Sequence, residues 1–162
     1  MSLRSKEVTW NDPADTALQM ATLPGREVFE RVRDGRLPAP PMARLFGFEI
    51  LEVGDGEVRF ACTPDESTAN PMGMVHGGTL CTLLDTVAGC ALHTTLPAGS
   101  AFSTIEIKVS FLRALTPGTR LQAHGKVIRR GRNVAFAEGS AIDDQGRLVG
   151  TATTSLMIAP PA

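Results

Sequence analysis

The chain has 162 residues, 43% of them hydrophobic, with 16 basic side chains against 17 acidic ones. That length suits one domain with a sizeable core, and the apolar content argues against a disordered chain. The charge balance leaves no whole-molecule field for nucleic acid or an anionic membrane, and no apolar run reaches the ~18 residues needed to span a bilayer.

The first residues, "MSLRSKEVTW", lack the apolar core of a signal peptide. Residues 1 to about 20 are polar and mixed, and poor order is expected there. "GREVFERVRD" places Val28, Phe29 and Val32 at helical spacing over 25–34, with Gly35 as the stop. "LPAPPMARLFGFEI" carries Pro38, Pro40 and Pro41, which predicts an extended connector. Residues 1–44 are read as a helical N-terminal appendage packed on a core domain, 45–162, that follows.

From residue 46 the pattern turns to strands. "FGFEILEVGDGEVRFACTP" reads as a hairpin around Gly54-Asp55-Gly56. Residues 64–75 read as an irregular loop, and a helix is predicted over 77–95. Four strand-like runs follow Pro97-Ala98-Gly99, at 101–112, 119–130, 133–143 and 147–158, rich in Val, Ile, Thr and Phe. Their breaks, Thr116-Pro117-Gly118, Arg130-Gly131-Arg132-Asn133 and Asp143-Asp144-Gln145-Gly146, are turn chemistry short enough for hairpins. The expected class is α+β, with one long helix covering one face of a curved antiparallel sheet.

Stepping round the 77–95 helix puts Leu80, Leu83, Leu84, Val87, Ala88, Ala91 and Leu92 on one arc, with Asp85 at its edge. Thr82, Thr86, Gly89 and His93 lie opposite. That side has no Lys, Arg or Glu, which a solvated face normally carries, so it is expected to be covered by the sheet or by a second subunit. A carboxylate in such a place is a structural hydrogen-bonder or a base, since desolvation raises a carboxylate pKa. Gly77 and Gly78 leave the first helical N–H groups unshielded, and helix N-termini bind anions and polarise carbonyl oxygens. His76 and Asn70 add hydrogen-bonding side chains, although alone they read as a cap and as an Asn-Pro turn starter. Together these residues form an acyl-transfer arrangement without a nucleophilic serine.

Asn70, Gly73, His76, Gly77, Gly78 and Asp85 stand as N-x-x-G-x-x-H-G-G-x-x-x-x-x-x-D. This stretch resembles the phenylacetate-pathway-type (PaaI-type) acyl-CoA thioesterases of the hotdog-fold superfamily. The resemblance continues through "STIEIKVSFLRALTPGTRL" and "KVIRRGRNVAFAEGSAIDDQGRLVGTATTS", and covers roughly 45–158. It implies a long helix wrapped by an antiparallel sheet, and thioester hydrolysis on acyl-coenzyme A. By that resemblance Asp85 is the catalytic carboxylate, as general base or nucleophile. The Gly77 N–H polarises the thioester carbonyl, and Asn70 and His76 orient substrate or water. Gly78 lies against the substrate, and Thr104 supplies a hydroxyl near the reacting centre. The resemblance also implies sites shared between two chains, Asp85 from one and His76-Gly77 from the other, in homodimers that pair into a dimer of dimers. It implies no cofactor, coenzyme A being part of the substrate. The N-terminal appendage departs from the family pattern.

"KVIRRGRN" gathers Lys126, Arg129, Arg130, Gly131 and Arg132 near one turn, and Arg113 follows "VSF". Arginine forks suit the phosphates of coenzyme A, so Arg113, Arg130, Gly131 and Arg132 are candidate substrate-binding residues. The same turn is equally what a solvated hairpin looks like. No aromatic residues interleave the arginines, which argues against nucleic acid. His76, His93 and His124 lack ligand spacing, so no metal is expected. Cys62, Cys81 and Cys90, with no CxxC, read as small buried hydrophobes of a reducing cytoplasm. "GDGEVR" is no dinucleotide fingerprint, and there is no G-x-S-x-G. Met72 and Met74 suit pocket or interface packing. Two rivals share the fold: a non-catalytic acyl-CoA-binding or sensing protein, and a dehydratase or hydratase, which needs a His and a carboxylate paired for proton transfer at carbon.

Overall fold

The computed structural model describes residues 2–159. Three short helices lead the chain. Asp12 accepts the Ala14 N–H at 2.8 Å and Pro13 takes the first helical position, so α1 forms over Pro13–Met20. Residues 13–20 are thus helical where composition alone suggested poor order, while residues 2–12 carry no helix or strand; the start signal is Asp-Pro, which composition does not register. Helix α2 spans Gly25–Arg33 and buries Val28 and Phe29. Gly35, at φ +70°, follows its end as expected. The proline-rich connector is shorter than predicted. Pro41 opens a further helix, α3 (Pro41–Phe46), which Gly47 closes at φ 66°. A proline at the first helical position starts a helix, and only the residues before it are held extended.

Strands β1 (Glu49–Val53) and β2 (Glu57–Cys62) form the expected hairpin. The Gly54 N–H donates to the Glu57 carbonyl at 2.8 Å, and Gly56 takes φ +75°. After a 3₁₀ turn at Glu66–Thr68 the long helix α4 runs over Gly77–His93. Strands β3 (Ala101–Phe111), β4 (Leu121–Arg130), β5 (Val134–Ile142) and β6 (Leu148–Ala159) complete one six-stranded sheet in the order β1-β2-β4-β5-β6-β3, antiparallel throughout. This is the hotdog arrangement that the resemblance implied.

The break at Thr116-Pro117-Gly118 is not a hairpin. Strand β3 pairs with β6 at one edge, and β4 lies between β2 and β5. The chain between β3 and β4 instead crosses beside the start of α4. Leu112 and Arg113 donate to the Val149 carbonyl, the Leu115 carbonyl accepts from Val75, and Gly118 donates to Pro64. Turn residues reverse a chain locally but do not choose its partner strand.

The predicted stripe of α4 is the core. Leu80, Leu83, Leu84, Val87, Ala88, Ala91 and Leu92 are each at most 3% exposed. Each leucine or valine so buried contributes roughly 1.5–3 kcal/mol. The sheet can approach this closely because β4 has a glycine at the contact: a Cβ on Gly125 would lie 2.1 Å from the Val87 carbonyl oxygen. The opposite side of α4 is partly covered by the chain's own N-terminal helices. Gly25 donates to the Leu96 carbonyl at 3.0 Å, and Phe29 stands edge-on to the His93 ring at 5.4 Å.

Candidate active site

The loop before α4 is tied by Asn70. Its Oδ1 accepts from the N–H groups of Met72 (2.9 Å) and Met74 (3.2 Å), and its own N–H donates to the Met74 carbonyl at 2.7 Å. The turn-starter role is therefore filled, and the carbonyl end of the Asn70 side chain is committed to the loop. His76 caps α4: its Nδ1 accepts the Gly78 N–H at 2.8 Å. With Nδ1 accepting, the outward Nε2 is the donor of the ring. No acceptor among the described residues takes the Gly77 N–H.

The two glycines have separate reasons. A Cβ on Gly78 would lie 2.9 Å from His76 Nδ1, so a side chain there crowds the cap. A Cβ on Gly77 would meet the Phe111 ring at 3.2 Å. Gly77 thus carries a free N–H at the positive end of the helix dipole, with an aromatic ring against it. Beside it opens a cavity of about 360 Å³ that brings together Asn70, His76, Gly77, Phe111 and Arg113. Sequence reasoning singled out four of those five. Phe111 was missed, its only signal being its place at the end of a strand.

Asp85 lies elsewhere. Eight residues of helix put it ~12 Å along α4 from Gly77. Its Oδ1 accepts from the Thr104 hydroxyl at 2.9 Å. Thr104 reaches it because of a bulge in β3. The register shifts between Thr104 and Glu106, so Thr104 lies opposite buried Leu156 while Ile107 lies opposite buried Thr154. One extra residue between them keeps both on the helix side. Strand β3 meets α4 again where the Phe102 ring covers Gly89.

The basic turn sits at the other end of α4. Arg130 donates through Nη1 to the Thr95 carbonyl at 2.6 Å, which caps the helix C-terminus. Gly131 donates to the Val134 carbonyl at 2.9 Å inside the β4–β5 turn, and Arg132 is exposed beside it. Within one chain, then, Arg130, Gly131 and Arg132 lie about 25 Å of helix away from the Gly77 cavity. Gly78 keeps its N–H for the cap.

Cys90 is no nucleophile: burial first, and the Asp85 charge second, push its thiol up to about 12. Burial lowers the His93 pKa below its usual 6.5, which favours the neutral ring. Among the described residues no group of three or more His, Cys, Asp or Glu side chains is placed to hold a metal. None of the described helices is long and apolar enough to cross a membrane.

Residues 72–150 match the family model for the thioesterase superfamily. A Ralstonia eutropha structure described as a phenylacetic acid degradation-related protein superposes with a TM-score of 0.74 at 35% identity, covering 80% of this chain and 98% of that one. The proofreading thioesterase EntH of Cronobacter turicensis is 28% identical over 69% of this chain and 81% of its own length. A Streptococcus pneumoniae structure described as a thioesterase protein with coenzyme A superposes with a TM-score of 0.66 at 25% identity, covering 70% of this chain and 90% of that one.

Proposed function

The chain belongs to the thioesterase superfamily, and from that premise we propose that it hydrolyses an acyl-CoA thioester to free acid and coenzyme A. The observation that carries the reading is the free Gly77 N–H at the start of α4, facing a cavity with polar positioners but no carboxylate. A donor fixed there stabilises the charge that grows on a thioester oxygen as its carbon is attacked. In this reading the thioester carbonyl sits on the Gly77 N–H, with the His76 ring edge and the Asn70 amide as further donors.

The missing base is Asp85 of a second copy. Its carboxylate, held by Thr104, takes a proton from water as the water oxygen bonds to the carbonyl carbon, or attacks that carbon itself to form a mixed anhydride that water then opens to the free acid. The C–S bond breaks and the departing sulfur takes a proton, the one Asp85 drew from water or, in the anhydride route, one from solvent, so that coenzyme A leaves as thiol. Two copies paired with their α4 helices antiparallel would bring one chain's Asp85 toward the other's Gly77. The same pairing brings the partner's basic turn toward the cavity, where Arg113, Arg130 and Arg132 would face coenzyme A phosphates. We infer a homodimer, with a dimer of dimers as the assembled form, needing no cofactor. The three free cysteines suit a reducing cytoplasm.

A panel of acyl-CoAs with a free-thiol readout tests the reaction, and sedimentation tests the shared site. A stable monomer that still hydrolyses acyl-CoA would remove the second copy from the mechanism. No turnover across the panel, with binding retained, would favour the sensing protein.

A further inference from the structure

The N-terminal helices do more than cover α4. Between them, β1, β2 and α4 lies a separate cavity of about 320 Å³. Its walls include Val28, Phe29, Ala39, Ala43, Ile50 and Phe60, and α4 contributes Thr86 and Cys90 as its floor. Arg33 and Glu49 also border it, but each is paired elsewhere, Arg33 with Asp34 at 2.9 Å and Glu49 with Arg120 at 2.8 Å. The interior therefore offers methyl groups, rings, one hydroxyl and one thiol, and no free charge.

The cavity has a defined relation to the proposed chemistry. Thr86 follows Asp85 in the chain, so one residue and 100° of helix separate the proposed base from the floor of the cavity. Between them on the helix surface lies Thr82, half-buried, while Gly89 on the other flank is covered by the Phe102 ring. A group attached to a carbonyl near Asp85 would enter over Thr82. Phe29, which lines the cavity, is braced edge-on against His93, and His93 stands against Phe102 with ring centres 5.6 Å apart. The volume is near the lower end of the ~300–1,000 Å³ usual for small-molecule sites, so what fits is compact.

We propose that this cavity, built by α2 and α3 against α4, seats the acyl group of the substrate, and that the acyl group is an uncharged apolar one of medium length. The assignment rests on the acyl-CoA reading of the site. It gives the N-terminal helices a task in specificity: they supply the wall, and Phe29 with His93 sets the stop.

Three measurements test it. The octyl thioether of coenzyme A, which cannot be hydrolysed, and coenzyme A alone are titrated calorimetrically into the wild-type protein. Each methylene buried is worth roughly fourfold in affinity, so the octyl compound should bind at least a hundredfold more tightly. Equal binding of the two overturns the proposal, whatever the enzyme turns over. Next, Ala43→Phe and, independently, Ala39→Phe fill the cavity. The ratio of kcat/KM for octanoyl-CoA over acetyl-CoA should fall ~30-fold or more in whichever variant keeps the wild-type melting temperature. An unchanged ratio in a folded variant overturns the assignment. Last, Phe29→Ala opens the stop and should shift the preferred chain to longer acyl groups; an unmoved or shortened optimum counts against it. If the wild type hydrolyses no acyl-CoA but binds the octyl thioether preferentially, the catalytic reading fails and the acyl site stands.

Discussion

Glycines stand at both ends of α4, in its own first turn at the start and in the elements packed on it at the end, and the two ends use them for opposite purposes. At the start, Gly77 and Gly78 make room for a ring on each side and leave one N–H without an acceptor. At the end the backbone is tied to neighbouring elements. Arg130 holds the Thr95 carbonyl, Gly25 donates to Leu96, and the Gly56 N–H donates to the Thr94 hydroxyl at 2.8 Å. His93 is held between Phe29 and Phe102. Small residues at one end expose the backbone to a ligand. Small residues at the other let neighbouring elements come close enough to bury it. Composition alone does not separate the two cases; the number of partners does.

Asp85 stands at the boundary between these ends, and replacing it gives the largest expected effect. Asp85→Asn keeps the shape and can still accept the Thr104 hydroxyl, but it cannot take a proton. Hydrolysis should fall by ~10²–10⁴ in kcat with the melting temperature little changed. A variant within a few-fold of wild type would assign Asp85 to the packed end. Gly25→Ala tests that end directly. The added Cβ would lie 1.8 Å from the His93 carbonyl oxygen, which is backbone and cannot swing away. Urea unfolding should show a loss of about 3 kcal/mol. Wild-type stability would mean that α2 is held loosely and that the contrast between the ends is weak.

Thr104→Val removes the one hydroxyl that holds the carboxylate while keeping the side-chain shape. A hydrogen bond to a charged group is worth about 1.5–3 kcal/mol, of which kcat should lose roughly tenfold while KM moves little. Equal losses in both would make Thr104 a substrate contact. The smallest effect concerns His93. Its pKa is lowered in the fold, so below about 6.5 the unfolded chain binds a proton that the folded one resists. Stability is therefore full above that value and is lost as the pH falls beneath it. Between about pH 8 and pH 5.5, His93→Leu should lose less melting temperature than wild type does. Parallel losses would show that the Phe29–His93–Phe102 stack tolerates a charge.

The elements that periodicity governs were legible in the sequence. The stripe from Leu80 to Leu92 is buried as the 3.6-residue repeat predicts, and the four later strands lie within two residues of their predicted bounds. Features set by a single residue or a distant partner were not. Asp12-Pro13 and Pro41 start helices in stretches whose composition argues for loop or extended chain. Strand β3 pairs with β6 because the sheet closes that way, and nothing near Pro117 records it. In the site, the cap of His76 on Gly78 is local and was readable as one of two options. The meeting of Asp85 with Thr104 joins residues 19 apart in sequence and was legible only through resemblance. The tie of Arg130 Nη1 to the Thr95 carbonyl joins residues 35 apart in sequence and was not legible, because a charge run carries no record of what it already holds.

The bulge in β3 has a bearing on how this chain can drift in evolution. Between Thr104 and Ile107 the strand carries one residue more than β6 opposes. Ile105, that surplus residue, is 60% exposed and holds nothing in the core. Losing it would leave Thr104 opposite Leu156 and Ile107 opposite Thr154, with the ladder merely straightened. Losing one residue further along, between Ile107 and Phe111, would set the Phe111 ring and the Thr104 hydroxyl on opposite faces of the sheet and separate the two ends of the site. Natural length variants of this strand should therefore cluster at position 105, where a frame change is silent to both Gly77 and Asp85.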